Sequence, residues 1–287
     1  MKRLRPSEFR HGPLAIVGMG LIGGALAKAV RTADPDREII AIDPDPSTRA
    51  AIRRLRLATK VVSGVDGTIE AARTIVVASP IAALGAILGR LAQHMRPDAL
   101  LSDAIGVKLQ VASLIARRLP SVAYVGAHPM AGGARGGFEN SRDDLFRGSP
   151  VIISPGPNAR PAHLQAVRGL WRAVGAYPIQ MSAEDHDRGV ALTSHLPYAV
   201  GLSLIRLAAE RPAAFRLTGP SFHDVTKRVD FEPKIMAAVV ASNPFIPDVL
   251  RQMAAKILRL ADLIERNPAD LLAEARRIRR THLARGR

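Results

Sequence analysis

Leu14-Ala15-Ile16-Val17-Gly18-Met19-Gly20-Leu21-Ile22-Gly23-Gly24 is the stretch on which the fold turns. A short apolar run that reads as a buried strand (13–17) enters a G-x-G-x-x-G turn, and a helical stretch over 23–32 follows. Each glycine has its own task. Gly18 permits the tight turn, Gly20 lets the backbone approach a pyrophosphate, and Gly23 lets helix and strand pack closely. The helix start, with Leu21, Ile22 and Gly23, presents N–H groups to an anion. An acid about 20 residues further on completes the pattern. It is Asp43, in Ala41-Ile42-Asp43-Pro44-Asp45 at the end of the next predicted strand, 38–42. A carboxylate there takes the adenosine ribose hydroxyls, and with Asp45 nearby it would repel a 2′-phosphate, so NAD is expected over NADP. Arg49 opposes that preference to the extent that it reaches the pocket.

Outward from this unit, short apolar runs alternate with helical stretches as far as residue 179. Predicted strands fall at 74–78, 99–102, 123–126, 151–154 and 177–179, and predicted helices at 47–55, 80–93, 109–118 and 162–174. Strands separated by helices of about 10–15 residues indicate βαβ units and a mostly parallel sheet covered on both faces. Ala78-Ser79-Pro80 ends one strand at the carboxyl edge, where a dinucleotide would lie. Ser79 and Pro80 therefore join the candidate cofactor residues, although a strand end followed by a helix-opening proline accounts for them equally well.

Beyond residue 183 the strand signal disappears. The segments 186–211, 233–241, 247–265 and 268–285 all read as helices. The reading is an N-terminal doubly wound α/β domain over 1–181 and an all-helical domain over 182–287. A length of 287 residues agrees with two domains at roughly 150 residues each.

The absence of cysteine excludes a disulfide scaffold, a thiolate metal site and a thiol nucleophile. Cytoplasmic residence is expected, with no membrane association, because no secretory leader opens the chain and no apolar run approaches the length of a span. The net charge of +16 invites a nucleic-acid reading. Two features disfavour it. The 34 arginines and 7 lysines are spread along the chain, with small groups at Lys2, Arg3 and Arg5 and from Arg276 to Arg287, and aromatic residues make up only 4 %. A basic surface suits an anionic small molecule equally well.

The histidines divide by context. His11, His94, His163 and His282 lie in polar or terminal stretches and read as surface residues. His128 follows a predicted strand and precedes a glycine-rich loop, at the ligand edge of a parallel sheet. There it can act as a base on a hydroxyl, or it can shape its own loop. His195 lies in Ser194-His195-Leu196-Pro197-Tyr198, where the proline would bend a helix or free a carbonyl, and a structural and a site role stand even. His186, in Glu184-Asp185-His186-Asp187, reads as the charged start of that helix, with capping preferred to catalysis. No histidine pair has zinc-ligand spacing, so no metal is expected.

Taken together, these segments resemble the prephenate/arogenate dehydrogenase family. The resemblance rests on the ordered set Gly18 to Gly24, Asp103-Ala104-Ile105-Gly106-Val107-Lys108, Gly126-Ala127-His128-Pro129-Met130-Ala131-Gly132 continuing to Leu145-Phe146, His186-Asp187, Ser194 to Pro197, Phe222-His223-Asp224-Val225-Thr226, and Asn243. It covers nearly the whole chain. It implies a Rossmann domain, a helical dimerisation domain giving a homodimer, a nicotinamide cofactor, His128 as catalytic base, and oxidative decarboxylation of a carboxylated cyclohexadienol. His195, Tyr198, Lys227 and Gly106 are the substrate-side candidates.

The departures from the pattern fall on the substrate side. Gly106 stands where the family has a serine, Tyr198 where it has a histidine, Lys227 where it has an arginine (with Arg228 one place on), and Ala134, followed by Arg135, where it has an acid. Lysine keeps the charge but loses the bidentate fork that matches a carboxylate. Prephenate, arogenate, a 4-amino analogue or another carboxylated ring thus remain open, as does an NAD-binding paralogue with little turnover. A β-hydroxyacid dehydrogenase-like enzyme is the runner-up; it would want a catalytic lysine on the first helix of the second domain, and 186–211 has none. An NAD-responsive binding protein using the tail from Arg276 to Arg287 is the non-enzymatic alternative. No appended ligand-sensing domain is expected.

Overall fold

The computed structural model describes residues 12–133, 135–264 and 268–283. His11, Ala134 and the basic residues Lys2, Arg3, Arg5, Arg285 and Arg287 lie outside the described residues. The described residues form two compact units, one reaching Pro244 and the other starting at Phe245.

The first unit is organised by an eight-stranded sheet of order β3-β2-β1-β4-β5-β6-β7-β8. Its strands are β1 Leu14–Val17, β2 Ile39–Ile42, β3 Lys60–Val62, β4 Thr74–Val77, β5 Leu100–Asp103, β6 Ala123–Pro129, β7 Pro150–Pro155 and β8 Tyr177–Gln180. All pairs are parallel except β6–β7. The central strands LAIV, IIAI and TIVV are apolar or nearly so and wholly buried, as strands covered on both faces must be. Period-two alternation sends Leu14 and Ile16 into one core layer, with Leu26, Phe146 and Trp171, and Ala15 and Val17 into the other, with Leu84, Leu88 and Ile115. The first layer lies under α1 Leu21–Ala33 and α5 Pro161–Ala173, the second under α3 Ile81–His94 and α4 Leu109–Arg118, and α2 Pro46–Arg54 follows β2.

Two strand readings are corrected. The strand β3 escaped the pattern because three residues, one of them the exposed Lys60, carry too little periodicity. Strand β6 runs to Pro129 rather than stopping at Gly126, because its outer half pairs antiparallel with β7 and His128 stands opposite Ile152. His128 is therefore a strand residue, held by a ladder.

The first unit continues with helices. They are α6 Ala183–Val190, a π-helical turn Ala191–His195, α7 Leu196–Ala209, α8 Pro220–Thr226 between two short 3₁₀ turns, and α9 Pro233–Ser242. The predicted single helix 186–211 is thus interrupted. Pro197 lacks an N–H and crowds the preceding turn, and the helix widens there into a π turn. The span Ala183–Ala209 is long and apolar enough to cross a membrane, with a mean hydropathy of 1.2. It nevertheless carries the buried His186, Asp187 and His195, all engaged in polar contacts within the protein. The second unit comprises α10 Ile246–Ile264 and α11 Pro268–Leu283.

Candidate functional site

Strand β1 pairs with β2 on one side and β4 on the other, so successive crossovers leave it in opposite directions and a crevice opens at its carboxyl end. Gly18 occupies that end with φ +92°. A Cβ there would fall 2.4 Å from Ser79 Oγ and 2.8 Å from Ser79 N. On Gly23 it would fall 1.8 Å from the Gly18 carbonyl oxygen, whereas on Gly20 it would meet nothing within 4 Å. No side chain caps α1, so the N–H groups of Leu21, Ile22 and Gly23 look onto the open space at Gly20. Ser79 donates to the Val17 carbonyl oxygen at 3.0 Å, and Pro80 occupies the N-cap of α3. The structure brings all of the predicted cofactor residues to one edge.

Asp43 is half-buried beside that loop, accepting from Met19 N at 2.7 Å and from Asp45 N at 2.9 Å. Open backbone at Gly20, an uncapped helix start and a pinned carboxylate fit a dinucleotide with free ribose hydroxyls. Asp45 is otherwise engaged: it caps α2, accepting from Thr48 N at 2.6 Å. Hydrogen bonds from Ser47 and Thr48 lower its pKa to about 2. The guanidinium of Arg49 donates to the carbonyl oxygens of Asp43 at 2.9 Å and Pro44 at 2.6 Å.

The second cluster lies further along the same edge. His128 falls on the same face of β6 as Tyr124 and Gly126, by the alternation of the strand. Its Nδ1 lies 2.7 Å from His186 Nε2, and His186 Nδ1 lies 2.7 Å from Asp187 Oδ1. Asp187 also accepts from the backbone N–H groups of Lys108 at 2.8 Å and Leu109 at 2.9 Å, at the start of α4. Asn243, just past α9, donates to the Asp187 carbonyl oxygen at 2.7 Å and lies 3.2 Å from His195 Nδ1. The π turn leaves His195 only 3 % exposed.

Beneath the histidines is a buried ionic network. Lys108 Nζ pairs with Asp103 and donates to the Ala127 carbonyl oxygen at 2.7 Å, and Tyr124 donates to Asp103 at 2.8 Å. Gly126 makes room for it: a Cβ there would fall 2.6 Å from the Tyr124 hydroxyl and 3.2 Å from Lys108 Cδ.

The free nitrogen of His128, Nε2, faces Gly106. A Cβ on Gly106 would lie 3.6 Å from it, with no other heavy atom as near apart from the neighbouring Cε1 at 3.7 Å. Burial pushes the His128 pKa well below the ordinary imidazole value, and the cationic forms of His186, Lys108 and His195 push the same way. His128 is thereby held neutral around pH 7, as a base must be. Burial also lowers His195, against the opposing pull of Asp187. In Asp187 burial alone would raise the pKa. The hydrogen bonds from His186, Leu109 and Lys108 outweigh it and hold the carboxyl below its usual range.

His186 is the principal correction. The acidic run does open α6, but Ser182 is the cap, accepting from Asp185 N at 3.0 Å. His186 is itself 1 % exposed, against His128. The local sequence hides this because the partner is 58 residues away; the presence of both histidines in one family pattern was the available signal. Lys227 follows α8. It is exposed, with Nζ 2.9 Å from Asp224 Oδ1, so its charge is held on the surface by an i,i+3 pair. Tyr198 is half-buried on α7, one turn beyond His195. Of the remaining histidines, His94 ends α3, His163 accepts from Arg160 N at 3.1 Å in the first turn of α5, and His282 is exposed on α11. No group of His, Asp and Glu suited to a metal is found among the described residues.

Fold and site together define a nucleotide-binding α/β protein with a histidine-centred cluster at the carboxyl edge of its sheet. Residues 26–180 match the family model "Prephenate dehydrogenase, nucleotide-binding domain", and residues 182–277 match "Prephenate dehydrogenase, dimerization domain". The chain belongs to the prephenate dehydrogenase family. It is 29 % identical to the cyclohexadienyl dehydrogenase of Zymomonas mobilis over 93 % of this chain and 92 % of that one. It is 27 % identical to the prephenate dehydrogenase of Bacillus subtilis over 90 % and 72 %. Its structure superposes with a TM-score of 0.87 on prephenate dehydrogenase from A. aeolicus, solved with hydroxyphenyl propionate and NAD+ (25 % identity, covering 95 % and 98 % of the two chains).

Proposed function

We propose that this chain oxidatively decarboxylates prephenate, arogenate or a closely related carboxylated cyclohexadienol, using NAD. One observation carries the reading: a neutral His128 whose free Nε2 faces the Gly106 gap, on the same sheet edge as the glycine loop. The N–H groups of Leu21, Ile22 and Gly23, with Gly18 and Gly20 clearing the approach, would hold the pyrophosphate. Asp43 would hold the ribose, and Ser79 and Pro80 would wall the crevice. When bound, the nicotinamide supplies the two-electron acceptor.

The chain's own part is to position the ring and manage its proton. His128 Nε2 takes the proton of the ring hydroxyl as that carbon is oxidised. Loss of carbon dioxide from the opposite carbon leaves its bonding pair in the ring, which becomes aromatic. Aromatisation supplies much of the driving force, so orientation and exclusion of water are the main demands on the protein. His195 and Tyr198 would meet the substrate, with Gly106 enlarging the space beside the base. Lys227 would have to leave Asp224 to meet a carboxylate.

The limits of the two family matches support a division of labour near residue 181. A homodimer is supported by the dimerization-domain match and by exposed Leu207 on α7 and Ile257 and Leu258 on α10, which pairing would bury.

The test is purified protein with NAD and, in parallel, prephenate and arogenate, followed for NADH and carbon dioxide together. His128→Asn should lose at least about a hundredfold in turnover. Unchanged turnover in that variant overturns the reading, and NADH without carbon dioxide favours a hydroxyacid dehydrogenase.

A further inference from the structure

We infer that Asp187 and His186 are positioning residues that fix the tautomer of His128, protonating its Nδ1 and leaving Nε2 bare toward the Gly106 gap. The inference rests on His128 being the base, and it adds how that base is prepared. The argument starts at the carboxylate. Asp187 sits at the N-terminus of α4, which has no side-chain cap of its own, and accepts two backbone N–H groups there. That environment favours the ionised form, which can only accept hydrogen bonds. The proton between Asp187 Oδ1 and His186 Nδ1 must therefore belong to the histidine.

A neutral His186 then carries its lone pair on Nε2. At 2.7 Å from His128 Nδ1, that lone pair requires the proton of the second contact to sit on His128. Both histidines are thus set by a carboxylate two rings away. As Nε2 receives a proton from the substrate, the cation formed on His128 is hydrogen-bonded toward Asp187 through His186, which compensates its charge. The T-shaped ring contact, with centroids 5.0 Å apart, fixes the imidazole plane as well.

The charged and titratable groups around His128 come from several elements: His186 and Asp187 from α6, Lys108 before α4, and His195 from the π turn, with Asp103 on β5 and Tyr124 on β6 behind Lys108. None but His186 makes a hydrogen bond to a His128 ring nitrogen among the described residues. The same carboxylate joins α6 to α4, so the tautomer depends on the packing of these two helices.

The first experiment needs no substrate. In protein carrying ¹⁵N-histidine at pH 8, with signals assigned by loss in His128→Asn and His186→Gln, His128 should show a protonated Nδ1 and a bare Nε2. A protonated Nε2 on His128, as a doubly protonated His186 would impose, overturns the inference. The second experiment is kinetic. His186→Gln can still accept from His128 at the ε position but has no donor at the δ position with which to reach Asp187, and its amide is free to flip. It should lower kcat about a hundredfold or more, with NAD affinity and KM unchanged within about twofold. The acid limb of kcat/KM should also move. In the wild type it lies well below pH 6.5, because protonation disarms a base of depressed pKa only once the pH falls that far. Removing His186 should take it lower still, because the cation on His128 then loses its hydrogen-bonded link to Asp187. If His186→Gln keeps wild-type kcat and pH profile while His128→Asn is inactive, the inference fails and the proposed function stands. If His128→Asn is active, the proposed function itself fails.

Discussion

Replacing Lys108 by methionine tests the ionic network on which the histidine cluster rests. Lys108 and Asp103 are each 1 % exposed, so neither charge can turn to solvent when its partner is removed. Breaking such a pair costs about 3–5 kcal/mol. In Lys108→Met, Asp103 keeps three donors, the Tyr124 hydroxyl and the N–H groups of Ile105 and Ala127. That places the cost near the low end, about 3 kcal/mol, and the melting midpoint should fall by about 6–12 °C. Asp103→Leu is worse. It leaves the ammonium with the Ala127 carbonyl alone and strands those three donors, for about 5 kcal/mol. The double variant Asp103→Leu/Lys108→Met removes both charges of this pair, and its cost should fall short of the sum of the two by about 3 kcal/mol. Urea unfolding of the four proteins at pH 7.5 measures the cycle. A double variant equal to the sum of the singles within about 0.5 kcal/mol would show that the two charges do not depend on each other, and the reasoning would be wrong.

Three further outcomes are expected. Gly23→Ala puts a Cβ 1.8 Å from a backbone oxygen that has no room to yield, so NAD affinity by calorimetry should drop more than about a hundredfold; wild-type binding would refute the loop assignment. Asp43→Ser removes the carboxylate accepting from Met19 N, and the ratio of NAD to NADP efficiency should fall about tenfold or more, an unchanged ratio counting against Asp43 as the ribose ligand. Gly106→Ser has an ordinary contact distance of 3.6 Å to His128 Nε2 and no strained φ, so it should leave the melting midpoint within about 2 °C and raise turnover by placing a hydroxyl beside the base. A large loss of stability would contradict the open space at that position.

Much of the fold was legible because its signals are local. The alternation of apolar runs with helical stretches fixed strands and helices to within a few residues, and the glycine loop with Asp43 located the crevice. Failures came where a long-range partner decides. Strand β6 extends to Pro129 because β7 pairs with it antiparallel, which nothing in Ala127-His128-Pro129 announces. Its own acidic neighbours explained His186 well enough to conceal that it packs on His128.

Periodicity, turn chemistry and capping act over a few residues, and with them the sequence alone determined a doubly wound nucleotide-binding half, a helical second half and His128 as the residue to watch. Only the tertiary structure decided what surrounds His128. Asp187 reaches back 79 residues to Lys108 N, Asn243 reaches 56 to the Asp187 carbonyl, and Gly106 faces Nε2 across the sheet edge. Whether an imidazole acts as a base depends on which groups share its hydrogen bonds and how much water it keeps, and both are set by segments that meet only when the chain has folded.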